Sequence, residues 1–119
     1  MVDEIRKHLY DIQDAASWIF EFVRGKSFDD YRNDELLRSG VERKFEVIGE
    51  ALKRLKRDAP AVLEYIREQR SIVSFRNILA HGYDTIDDRI VWSIIEEELT
   101  DLCNDVENLI AEMNGPHDS

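Results

Sequence analysis

Residues 92–113, Trp-Ser-Ile-Ile-Glu-Glu-Glu-Leu-Thr-Asp-Leu-Cys-Asn-Asp-Val-Glu-Asn-Leu-Ile-Ala-Glu-Met, carry the strictest pattern in the chain. Trp92, Ile95, Leu99, Leu102, Val106, Leu109 and Met113 recur at alternating steps of three and four. That spacing lays one apolar stripe along a helix, and its regularity predicts near-parallel packing against other long helices, as in a bundle. Glu96, Glu97, Glu98, Asp101 and Asp105 fall off the stripe and predict an acidic outer face. Gly115-Pro116 ends the pattern and leaves residues 115–119 as a tail, while Thr85 with Asp88 resembles a capping box that opens the helix.

Upstream, the same grammar recurs. Ile5, Leu9, Ile12, Ala16, Ile19 and Val23 predict a first helix with Gly25 as its stop, and Trp18 and Phe22, off that stripe, cover a second face that reads as a widened core stripe or, alternatively, as an interface with a further neighbour or a partner chain. Lys26 to Asn33 reads as a polar connection. Asn33 or Asp34 can cap a second helix whose core positions are Val41, Phe45, Ile48, Leu52 and Leu55. Its other side, with Arg43, Lys44, Lys53, Arg54, Lys56 and Arg57 among Glu46 and Glu50, reads as a solvated face laced with ion pairs, the alternative being a track for RNA. Asp58-Ala59-Pro60 breaks that helix, and a third is expected from Ala61 to about His81, where Gly82 follows as a C-terminal residue. The expectation is an all-α protein: a four-helix up-and-down bundle forming one domain over residues 1–114.

Composition agrees. Of 119 residues, 43% are hydrophobic and 35% charged, with five Gly and two Pro, which favours long helices. No run of about 18 apolar residues and no basic-then-apolar leader is present, so a cytoplasmic protein with no membrane span is expected. The single cysteine, Cys103, has no partner for a disulfide and reads as a small apolar side chain beside a helix seam. The net charge of −10 is uneven: residues 36–83 hold 10 basic and 6 acidic side chains, whereas residues 84–119 hold 1 and 11. Such a chain does not hold nucleic acid by broad counterion release, so any RNA contact must be local.

The basic middle ends in Arg76-Asn77-Ile78-Leu79-Ala80-His81-Gly82-Tyr83. Arginine presents a permanent planar donor fork suited to phosphate, and histidine exchanges a proton near neutral pH. Together they suffice in principle for phosphodiester cleavage, with His81 as general base or acid toward a ribose 2′-OH and Arg76 stabilising charge on the scissile phosphate. On an unbroken helix the two are turned about 140° apart. They converge if the helix ends near His81, or if a two-fold axis brings in a second copy. Asn77 could anchor a turn or bond a phosphate. No His-Glu-x-x-His or similar cluster suggests a metal, and no cofactor motif is present.

The eight residues from Arg76 to Tyr83 match the Arg-x4-His-x-Tyr signature of HepT-like toxins in the HEPN superfamily. Val41 to Leu52 resembles that family's second helix, and Ile86-Asp87 through Val91-Trp92-Ser93-Ile94-Ile95 resembles the start of its last one. The resemblance implies a homodimeric, metal-independent ribonuclease toxin with Arg76 and His81 as the catalytic pair. It also implies a partner, a minimal nucleotidyltransferase antitoxin that transfers AMP from ATP to the motif tyrosine, here Tyr83. The lead-in Tyr65-Ile66-Arg67-Glu68-Gln69-Arg70 departs from the Pro-rich, Trp-containing segment frequent in the family. Alternative readings are a non-catalytic helical module binding a nucleotide or the nucleotidyltransferase, and a structural adaptor in which the motif merely ends a helix.

Overall fold

The computed structural model describes residues 2–67 and 87–115. Within them all regular structure is helical: α1 (Val2–Val23), α2 (Phe28–Arg32), α3 (Glu35–Asp58), α4 (Pro60–Leu63), α5 (Asp88–Glu97) and α6 (Leu99–Asn114). This is the all-α architecture expected of a HEPN-type fold, with no strand among the described residues.

The α1–α3 seam is its spine. Leu9, Ile12, Ala16 and Ile19 of α1 are fully buried, as are Val41, Phe45, Ile48, Leu52 and Leu55 of α3, so both predicted stripes face inward. Each of these side chains other than Ala16 contributes roughly 1.5–3 kcal/mol on burial. Contacts at the two ends set the direction of the seam. His8, near the start of α1, bonds Asp58 at the end of α3, while Phe22, near the end of α1, lies against Gly40 near the start of α3. The helices therefore run antiparallel. A Cβ added at Gly40 would meet Cε2 of Phe22 at 3.3 Å, so this close approach is what the glycine permits. Gly25, with φ of +70°, turns the chain out of α1 in a conformation that favours glycine.

Four expectations need correction. Lys26 to Asn33 is not merely a polar connection. Ser27 and Asp30 form a reciprocal capping box that starts α2, and Tyr31 drops from that helix fully into the core. The final helix is two: Glu98, at φ −119° and ψ −31°, interrupts it. The Glu98 N–H still donates to Ile94 O at 2.9 Å and Leu102 N–H to Glu98 O at 3.0 Å, so the hydrogen-bond ladder and the apolar stripe carry across the break. Its cap is Asp87, whose side chain accepts from the Arg89 N–H, and Asp88 lies inside the helix. Thr85, the other half of the expected capping box, lies outside the described residues. The third helix begins with Pro60 in its first turn, as expected, but α4 ends at Leu63 and residues 64–67 are not helical, with Ile66 held by a turn bond to Leu63 O; the rest of the expected span, from residue 68 to His81, lies outside the described residues. Trp18 does not widen a core stripe. It is 46% exposed, with the Lys44 ammonium 5.8 Å from its ring centroid and the tilted Phe22 ring at 5.9 Å. Of the two cap candidates for α3, Asp34 serves, accepting from the Leu37 N–H at 3.0 Å.

No described helix is long and apolar enough to cross a membrane. Cys103 is half-buried and free, and burial pushes its thiol up to about 11, with Glu107 adding to the shift.

Candidate functional site

Arg76, Asn77, His81 and Tyr83 all lie outside the described residues, so the structure neither brings them together nor separates them. What it places is the frame at either end of the segment that carries them.

On the upstream side stands Arg67. Its backbone N–H donates to Asp105 Oδ2 at 3.0 Å, and its guanidinium grips both carboxylate oxygens of the same residue, Nε to Oδ2 at 3.1 Å and Nη2 to Oδ1 at 3.0 Å. Asp101 adds a longer contact at 3.7 Å. A two-pronged arginine–carboxylate pair fixes orientation as well as distance. Burial pushes the Asp105 carboxyl up, but the hydrogen bonds from the Arg67 side chain and backbone outweigh that and hold it below its ordinary value. Asp105 was expected on an acidic outer face. Its side chain is 12% exposed instead, because it is spent on joining the chain after α4 to α6. The partners are 38 positions apart, so no periodicity announces the pair.

On the downstream side, Asp87 caps α5. Next to it lies a polar and aromatic corner that sequence reasoning missed. Tyr31 is fully buried, its ring 5.5 Å from that of Trp92. Its hydroxyl finds no hydrogen-bond partner among the described residues. Burial, then the charges of Glu42 and Asp88, push the phenol well above its usual range. Glu42 is raised too, first by burial and then by Asp88. Phe28 completes the corner at 6.3 Å from Trp92, with the Arg32 and Arg89 guanidinium groups 5.8 and 5.4 Å from its centroid. The readable signal was the Phe-Asp-Asp-Tyr-Arg string in the supposed connection, where two aromatics three apart suggest one buried face of a short helix.

A further polar pair links the two long helices. His8, 8% exposed, bonds Asp58 Oδ2 through Nε2 at 2.9 Å, and Arg57 grips the same carboxylate at 2.7 and 3.0 Å. The Arg57 hydrogen bond first, and His8 second, hold the Asp58 carboxyl well below the usual carboxylate range. Among the described residues no three His, Cys, Asp or Glu side chains gather as a metal-ligand set.

Comparison with known proteins gives these features a context. The profile of the family described as ribonuclease HepT-like matches residues 12–109, a span that contains the Arg76–Tyr83 string. The chain is 32% identical over 104 residues to a protein of Thermococcus cleftensis named probable ribonuclease HepT, covering 87% of this chain and 94% of that one. It is 30% identical over 104 residues to a candidate RNase of Methanocaldococcus jannaschii, with coverage of 87% and 94%. A candidate RNase of Caldanaerobacter subterraneus is 31% identical over 111 residues, with coverage of 88% and 93%. No solved structure gives a significant match.

Proposed function

Since the chain belongs to the HepT-like ribonuclease family, we propose that it is a metal-independent endoribonuclease toxin acting as a homodimer, with Arg76 and His81 as its catalytic pair. The observation that carries this reading is the family match across residues 12–109, within which Arg-x4-His-x-Tyr stands intact at residues 76–83.

The chemistry follows from those two side chains. Neutral His81 takes the proton of a ribose 2′-OH, and the freed oxygen attacks the adjacent phosphorus. The bond from phosphorus to the 5′-oxygen breaks, and that oxygen takes up the proton that His81 removed, which returns the imidazole to its neutral form. The products are a 2′,3′-cyclic phosphate and a 5′-hydroxyl. Arg76 binds the phosphoryl oxygens as charge gathers on them, and Asn77 supports with a further hydrogen bond. Proton transfer of this kind contributes about 100- to 10,000-fold and charge stabilisation about 100- to 1,000-fold.

Control falls to Tyr83. A minimal nucleotidyltransferase antitoxin transfers AMP to its phenol oxygen: the oxygen attacks the α-phosphorus of ATP and pyrophosphate leaves. The adduct sets a negative phosphate two residues from His81, where it occupies the site and repels RNA. Support for this part comes from the resemblance of the motif.

Purified protein, chelator and a mixed RNA pool test the nuclease reading. Wild type should cleave, and Arg76→Ala and His81→Ala should not. RNA left equally intact by all three overturns it in favour of a non-catalytic binding module. Intact mass after incubation with the nucleotidyltransferase and ATP tests the control: an AMP-sized gain should vanish in Tyr83→Phe, and its persistence would move the modification elsewhere.

A further inference from the structure

Residues 21–44 carry six basic and six acidic side chains, a neutral stretch in a chain of net charge −10. The stretch runs from the end of α1 through α2 into α3, and one face of it is apolar. Leu36, in the first turn of α3, is 83% exposed. Beside it Phe22, Leu37 and Gly40 line a groove of about 420 Å³, with Lys26 and Asp34 on the rim. Exposed Trp18, its ring 5.9 Å from that of Phe22, extends the apolar strip along α1. A large aliphatic side chain left in water beside an apolar hollow marks a contact surface.

We infer that this face joins two copies of the chain about a two-fold axis, the Leu36 of each seated in the groove of the other. This rests on the homodimer of the functional reading and names the surface that makes it, without drawing on any residue of the cleavage motif. Shape supports it first. Knob and hollow lie side by side on one surface, and a two-fold contact needs a surface that complements itself. Charge supports it second. An axis through the groove sets Lys26 of one copy toward Asp34 of the other, twice over, while Asp34 gives one oxygen, Oδ1, to the α3 cap. Two molecules of net charge −10 repel one another, and least where basic and acidic side chains balance. Residues 84–119, with one basic and eleven acidic side chains, are the opposite case. Trp18, with the Lys44 ammonium over its ring, adds an aromatic of the kind enriched at interfaces.

Sedimentation equilibrium of the full-length protein over a range of concentrations reads the assembly, and wild type should be a dimer. Leu36→Glu puts a charge into the contact from each copy and should weaken dimerisation about 100-fold. Its helix content by circular dichroism should match wild type, because Leu36 touches water rather than core. Val2→Glu, at the far end of α1 and 55% exposed, adds the same charge and should leave the dimer intact. Lys26→Glu should loosen the pair about tenfold in low salt and less in high salt. A Leu36→Glu protein as dimeric as wild type overturns this face and leaves the homodimer standing. Equal weakening by Leu36→Glu and Val2→Glu also overturns it, since charge alone would then be at work. Wild type that stays monomeric at every concentration overturns the face and the homodimer together. A dimeric wild type that leaves RNA intact, with Leu36→Glu monomeric, sinks the nuclease while the face holds.

Discussion

The α1–α3 seam and the α2–α5 corner are built from opposite materials. The seam is apolar over nearly its whole length, and the buried polar link it has among the described residues, His8 to Asp58, sits at the end. The corner packs three aromatic rings with two arginines over one of them, with Asp88 adding to the upward shift of Glu42 and a buried Tyr31 hydroxyl that has no partner among the described residues. The seam secures the fold at low risk, because apolar contacts carry no desolvation penalty. Polar groups held at the corner cost stability and gain the capacity to meet a charged ligand.

That contrast can be broken most sharply at the seam. Phe45→Ala removes a fully buried ring from α3 and should cost about 3–5 kcal/mol in urea unfolding, while cleavage per folded molecule stays as in wild type. At the corner the balance should reverse. Tyr31→Phe deletes a hydroxyl with no described partner, so stability should change by less than about 1 kcal/mol or rise. A loss above about 2 kcal/mol would mean the hydroxyl is bonded, and the corner is then no different in kind from the seam. Ser27→Ala, which removes the α2 cap supporting Phe28 and Tyr31, should cost about 1 kcal/mol.

Acid sharpens the comparison with the smallest signal. Asp105 and Asp58 both have folded carboxyls below their ordinary values. Stability from such groups is complete above the unfolded carboxylate value near 3.9 and is lost as pH falls through the lower folded values. The urea midpoint should therefore hold down to about pH 5 and decline below pH 4. Asp105→Asn should flatten that decline without abolishing it, because Asp58 still contributes. A decline of unchanged steepness would show that the Arg67 fork carries no pH-linked stability.

The same contrast explains what was legible in advance. The stripes of α1 and α3 and of Trp92 to Met113 are periodic, and burial follows them, since a helix has one way to hide such a row. The break at Glu98 left no trace because the ladder and stripe continue through it. Trp18 misled because an aromatic off the stripe can lie on the surface under a lysine as readily as in a core. Arg67 with Asp105, and Phe28 with Arg89, join positions far apart in sequence, where spacing carries no information. At the motif the sequence spoke through its order of residue types, while Arg76, Asn77, His81 and Tyr83 fall outside the described residues.

The central claim is that His81 drives a ribose 2′-oxygen onto its neighbouring phosphate. Its most direct measurement is a parallel digestion, in chelator, of a mixed-sequence RNA pool and its fully 2′-O-methylated counterpart by wild type and His81→Ala, with the fragment ends identified by mass. The account predicts fragments ending in 2′,3′-cyclic phosphate from the ordinary pool with wild type alone. Cleavage of the methylated pool, or equal cleavage by His81→Ala, would contradict it.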